Sequence, residues 1–258
     1  MIKVVRISFV VIGLLALAAS LAFFFQLPIA TQIWPWPVGR LSYVFIASIA
    51  AAVGAPIFWI GLSGKLRSAV PGAINLLISF AATAVYGFTV LRNENNPQLT
   101  ILAVSTLILA LVTGVILIWA ARQPLVDNRP VPQLVKYSFL LFVAFLLFAA
   151  ISLITRQPHI FPWPLDANST VIFGWIFMGA AAYFLYVFVE PYWQMAQGQL
   201  LGFLAYDLVL IGPFLAHFTS VQPEHRLSLI IYTCVLIYSG GLAIYYLFLH
   251  PGFRFNFR

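Results

Sequence analysis

Charge is what this sequence has least of: only 7% of its 258 residues are Asp, Glu, Lys or Arg, against about a quarter of a soluble globular chain. With 63% hydrophobic residues beside so little charge, a soluble enzyme and a disordered tail are both excluded. Cysteine is nearly absent too. Cys234 stands alone, which rules out an intrachain disulfide and any two-cysteine metal or redox motif. Thirteen Lys and Arg against six Asp and Glu give a net charge of +7, yet the bases are scattered singly between apolar runs. No phosphate-tracking stripe can be drawn, so nucleic acid is not an expected partner. Nothing resembles a nucleotide-binding loop, a nucleophile elbow or a zinc-protease helix. No loop between apolar runs is long enough to hold a soluble domain.

What the chain does have is long hydrophobic runs. A membrane span needs about 20 mainly apolar residues, because the hydrocarbon core is about 30 Å thick and a helix rises 1.5 Å per residue. Eight segments qualify, at 7–26, 41–63, 69–91, 99–121, 134–154, 170–190, 199–218 and 228–249. The expected fold is therefore all-α, a polytopic membrane protein whose first partner is the lipid bilayer. The first run is read as a span and not as a cleaved signal: it is long for a signal core, and its counterpart at 134–154 cannot be one.

The few bases set the orientation. Lys3, Arg6, Lys65, Arg67, Arg122, Arg129, Lys136, Arg254 and Arg258 fall on one side; Arg40, Arg92, Arg156 and Arg226 fall on the other. Nine against four predicts both termini in the cytoplasm.

The two halves look alike. Ile33-Trp34-Pro35-Trp36-Pro37-Val38 returns as Ile160-Phe161-Pro162-Trp163-Pro164-Leu165, 127 residues later. At that one offset every span of the first half falls on a span of the second, and Ser42 meets Ser169, Thr106 meets Thr233 and Gly114 meets Gly241. This reads as a tandem duplication, 1–127 and 128–258, each a four-helix unit. Four is even, so the units enter the membrane in the same direction and form a parallel repeat, a pseudo-dimer of bundles.

Pro lacks a backbone donor and fixes φ, so the two Pro-Trp-Pro elements stiffen the outer approach to spans two and six. Their Trp rings suit an interfacial aromatic belt. The alternative is an aromatic rim around an outward-facing pocket. Trp-Pro-Trp-Pro followed by a small-residue-rich helix resembles a group of bacterial multi-pass membrane proteins carrying one or two such units. The resemblance implies bacterial origin and this architecture, and no activity, and the expected location is the bacterial plasma (inner) membrane; Phe161 departs from the pattern by replacing the first Trp.

One acid sits at mid-membrane, Asp207 in span seven, where an isolated charge costs at least about 2.5–3.5 kcal/mol. Its repeat counterpart is Phe80. It is expected to be protonated and hydrogen-bonded to a neighbouring Tyr or Asn. The alternatives are a polar cavity for a proton or cation, or a catalytic acid. Asn75 in span three is the candidate partner by depth, although it lies one to two turns nearer the cytoplasm, and Tyr206, Tyr232 and Tyr238 are the other candidate donors. His159, His217 and His225 could approach one another near Glu224, but scattered interfacial histidines are the commoner outcome. No metal, cofactor or catalytic residue is expected. The functional expectation is a structural or accessory membrane component with other membrane subunits as partners. A transporter or channel using Asp207 is the alternative, and a membrane enzyme acting on lipid, quinone or haem the third.

Overall fold

The computed structural model describes residues 2–36 and 38–255; Pro37 of the first Pro-Trp-Pro element and Arg258 of the charge count lie outside them. The chain folds into α1 (Ile2–Phe24), a single turn α2 (Pro28–Thr31), α3 (Arg40–Ser63), α4 (Ala69–Leu91), α5 (Pro97–Ala121), α6 (Gln133–Ile154), α7 (Ala167–Val189), α8 (Trp193–His217) and α9 (Arg226–Ile244). Among the described residues there is no strand, and eight helices are long and apolar enough to cross a membrane. This is a multi-pass helical membrane protein.

The helix ends follow from local chemistry. Asn96 and Asp166 cap α5 and α7, each accepting two backbone N–H groups of the first turn. Gly64 closes α3 at φ +72°, a left-handed conformation that favours glycine. Gln26 and Arg156, also at positive φ, end α1 and α6, and the following residue in each case bonds back five positions along the turn (Leu27 N–H to Ala22 O, Gln157 N–H to Ser152 O). Helix α8 begins six residues before the apolar run does. Its first turns, Trp193-Gln194-Met195-Ala196-Gln197-Gly198, are buried despite two glutamines, so hydropathy alone starts it too late.

The helices form two rows, α1-α3-α8-α9 and α5-α4-α7-α6, each neighbour packed on the next. Within the sequence halves, α3 and α4 scarcely touch, and neither do α7 and α8. Residues 1–127 and 128–258 are thus interleaved and not packed as two separate bundles. The reason lies in the small residues. Helix α8 carries Gly202 against the Ala52 carbonyl of α3, where an added Cβ would stand 3.0 Å away. Helix α7 carries Gly179 against Asn75 and Ser79 of α4, with no room for a Cβ at all. Backbones that approach this closely gain dispersion energy, which in lipid replaces the hydrophobic drive between helices. The α1–α3 seam is built likewise, with Gly13 under the Phe58 backbone and Gly61 under Val10.

The side carrying the termini is fastened by its bases. Arg6 donates to the Gly61 and Leu62 carbonyls that end α3, and Arg67 to the Ala121 and Gln123 carbonyls at the end of α5. Helix C-termini expose carbonyls without intrahelical partners and carry partial negative charge. Bases read as topology signals therefore also cap helices.

Candidate functional site

Asp207 is the acid that α8 carries into the membrane interior. It is 6% exposed, and the helix turns it toward α9. There Ser239 donates its hydroxyl to Asp207 Oδ2 at 2.9 Å. The next residue, Gly240, leaves space for the carboxyl group: a Cβ there would lie 3.2 Å from Oδ2. The other oxygen, Oδ1, is buried without a hydrogen-bond partner. The Ser239 hydroxyl lies equally close, 2.8 Å, to the Val235 carbonyl one turn back. A single hydroxyl proton cannot serve both acceptors.

The partners expected for Asp207 are elsewhere. Tyr206, one position away and so about 100° round the helix, faces α3, where its hydroxyl meets Ser48 and its ring packs 6.1 Å from Phe45. Asn75 sits in the α4–α7 seam, accepting from Ser79 at 3.3 Å and lying under Gly179. Asp207 pairs with neither, because α8 packs on α3 and α9 and not on α4. Nothing in the sequence marks Ser239: a serine in an apolar run is ordinary, and only the helix pairing tells which one is opposite.

The two Pro-Trp-Pro elements are brought into the protein. Trp36, Phe161 and Trp163 are buried, at 7%, 2% and 5% exposure, so they do not form a lipid-facing belt. Trp163 Nε1 donates to Ser42 Oγ at 2.9 Å, and Trp34 Nε1 donates to Ser169 Oγ at 3.1 Å. Each element thus reaches the serine that opens the helix of the opposite half. Trp36 Nε1 is buried and unpartnered. Trp36 packs on Leu99 and Ile172, whereas Phe161 and Trp163 ring Phe45 together with Phe173 and Phe177. Pro35 and Pro162 sit in the bends at 34–36 and 161–163, and Pro164 follows the second; the Pro162 carbonyl accepts from His217 Nε2 at 3.0 Å.

A third polar group, missed in the sequence, lies at the side of the termini. Asp127 pairs with Arg129 at 2.7 Å and Lys65 at 3.4 Å. Lys65 Nζ also donates to Gln197 at 2.9 Å, and Gln194 Oε1 accepts the backbone N–H groups of Val126 and Asp127. The Arg129 guanidinium beside Asp127 holds its carboxyl down at about 2, against the opposing effect of burial. Burial pushes the Lys65 ammonium below its usual range, and Asp127 opposes that shift. The only sequence signal was a pair of glutamines three apart at the head of an apolar helix.

Two surface depressions, of about 520 and 350 Å³, are lined by the 91–95 turn with Thr100 and by the outer face of α1. Asp207 lines neither. Among the described residues no three His, Cys, Asp or Glu side chains are grouped to hold a metal ion. Comparison with protein-family models, curated proteins and solved structures finds no match to this chain.

Proposed function

We propose that this protein is a structural or accessory component of its membrane, with Asp207 acting as a fastener between α8 and α9. The observation that carries the reading is the Ser239–Asp207 hydrogen bond, set in a contact that Gly240 leaves just wide enough for a carboxyl group. With Asp207 neutral, its own O–H would donate to Ser239 Oγ while Ser239 donates to the Val235 carbonyl, and each proton would then have one acceptor. That arrangement suits a buried group in hydrocarbon, where an unpaired charge is costly. Tyr206 with Ser48, and Asn75 with Ser79, are likewise engaged in helix seams.

The duplication belongs to the same proposal. Adding or subtracting 127 carries the Ala52–Gly202 contact onto Gly179–Asn75, and Phe45–Trp163 onto Ile172–Trp36. It also carries Ser48–Tyr206 onto Trp175–Ser79. These equivalences support a parallel repeat whose halves interleave about a pseudo-two-fold axis. The charge count supports cytoplasmic termini in a bacterial inner membrane, and the exposed apolar faces of α1, α5 and α6 are where lipid or another subunit would lie.

One observation favours transport instead, the unpartnered Asp207 Oδ1. Proteoliposome flux of protons and monovalent cations separates the readings. The structural reading expects no flux beyond empty vesicles, and the same in Asp207→Asn; a flux present in the native protein and lost in Asp207→Asn would overturn it.

A further inference from the structure

We infer that His159 and His225 together form an open, two-imidazole binding site for a borderline divalent cation such as Zn²⁺. The two residues are 66 positions apart, one in the loop between α6 and α7 and one in the turn that precedes α9. The fold sets their rings side by side, with centroids 5.1 Å apart and planes tilted by 58°. A ligand nitrogen sits 2.0–2.1 Å from Zn²⁺, which with the radius of the ring places each ring centre about 3.2 Å from the ion. Two such rings at the tetrahedral angle have centres about 5.2 Å apart. The observed centroid spacing matches that value.

The His225 ring and the His159 backbone are each held by their surroundings. His225 is buried, and its Nδ1 lies 2.8 Å from the Phe161 carbonyl. A carbonyl only accepts, so Nδ1 bears a proton, and in the neutral ring Nε2 is the nitrogen that carries the lone pair. A backbone acceptor behind the imidazole is the usual second contact of a metal-ligating histidine. His159 is exposed at φ +63°, and its carbonyl accepts from Ser228 in the first turn of α9. Its backbone is thus tied to the helix that His225 introduces, while its ring stays open to water.

The remaining histidines are committed elsewhere. His217 has Nε2 on the Pro162 carbonyl and Nδ1 on Ser220 Oγ, both at 3.0 Å, and His250 packs on Tyr245 and Tyr246. With no third protein ligand among the described residues, two tetrahedral positions fall to water or to an added ligand. Such a site exchanges its ion, unlike a closed structural centre. Imidazole donors select Zn²⁺, Ni²⁺ or Cu²⁺ over Mg²⁺ and Ca²⁺, which take oxygen. A bound ion would pin the α6–α7 loop to the α8–α9 turn.

The test is calorimetric titration of the full-length, tag-free protein in nanodiscs with Zn²⁺ alone and with Mg²⁺ alone, together with thermal unfolding at each point. One saturable equivalent of Zn²⁺, no Mg²⁺ binding and a rise in melting temperature with Zn²⁺ are expected. His159→Asn and His225→Asn should each weaken Zn²⁺ binding at least about tenfold. Both variants should fold: Asn tolerates positive φ, and at 225 its amide N–H replaces Nδ1–H toward Phe161. His217→Asn should leave the affinity unchanged. Absence of saturable Zn²⁺ binding, affinity undiminished in both Asn variants, or an equal loss in His217→Asn would overturn the site.

Discussion

Trp163 donates its indole N–H to Ser42 Oγ at 2.9 Å, across 121 positions of sequence and between the two halves of the chain. Trp34 makes the reciprocal bond to Ser169 at 3.1 Å. The two bonds come from different places in their elements. In the second copy the leading Trp is replaced by Phe161, which has no donor, and the inner Trp163 reaches the serine. In the first copy the leading Trp34 takes the serine, and the inner Trp36 is left buried with no partner.

That asymmetry makes a paired prediction. Trp163→Phe removes a hydrogen bond and strands the Ser42 hydroxyl, which is 1% exposed. Trp36→Phe removes the same atoms but no hydrogen bond. Leaving a buried polar group unsatisfied costs about 1–3 kcal/mol, so Trp163→Phe should destabilise by about that much more than Trp36→Phe. Chemical unfolding of both variants in one detergent reads the difference directly. Equal losses would mean that the Trp163–Ser42 bond contributes nothing.

The glycine seams give a second contrast. A methyl at Gly179 would run into the Asn75 backbone and side chain, whereas one at Gly212 meets nothing within 4 Å. Gly179→Ala should therefore cost at least about 1–3 kcal/mol by overpacking. Gly212→Ala should be neutral or stabilising by up to about 1 kcal/mol, since alanine is the better helix former. Thermal inactivation or detergent unfolding would rank the two, and the reverse order would contradict the α4–α7 packing.

Asp127 predicts an acid limb in the stability profile. Its carboxyl titrates at about 2 in the folded protein, held down by Arg129, against about 3.9 in an unfolded chain. A depressed carboxyl stabilises the fold above the unfolded value, and that contribution is lost as pH falls from about 4 toward 2. Discounted because Arg129 is half exposed, the loss is about 1 kcal/mol. Asp127→Asn should remove that part of the acid dependence and leave stability near pH 2 unchanged. An unaltered profile would show that the ion pair is screened out.

The spans and the 127-residue offset were legible because hydrocarbon imposes length and apolarity on every crossing segment, and these leave a mark in sequence. Helix faces were not. Each span is apolar nearly all round, so nothing in α8 tells that Tyr206 meets α3 while Asp207 meets α9. Depth alone relates Asn75 to Asp207, and the true neighbour, Ser239, is 32 positions away on the following helix. The Trp rings looked interfacial because their flanks are polar, yet Phe45 and Ile172 provide buried surfaces that draw them inward. Asp127 meets Lys65 and Gln194 only because the linker at 122–132 folds back over the start of α8.

The central claim is that Asp207 and Ser239 fasten α8 to α9, and a double-mutant cycle on that pair tests it most directly. Stability would be measured by unfolding in detergent for the native protein, Asp207→Ala, Ser239→Ala and the double variant. Interhelical hydrogen bonds in membranes average about 0.6 kcal/mol and reach about 1.7, and pairs in contact are non-additive. The account predicts a favourable coupling in that range, with Ser239→Ala also lowering stability alone. Strictly additive losses, with no coupling between the two positions, would contradict it.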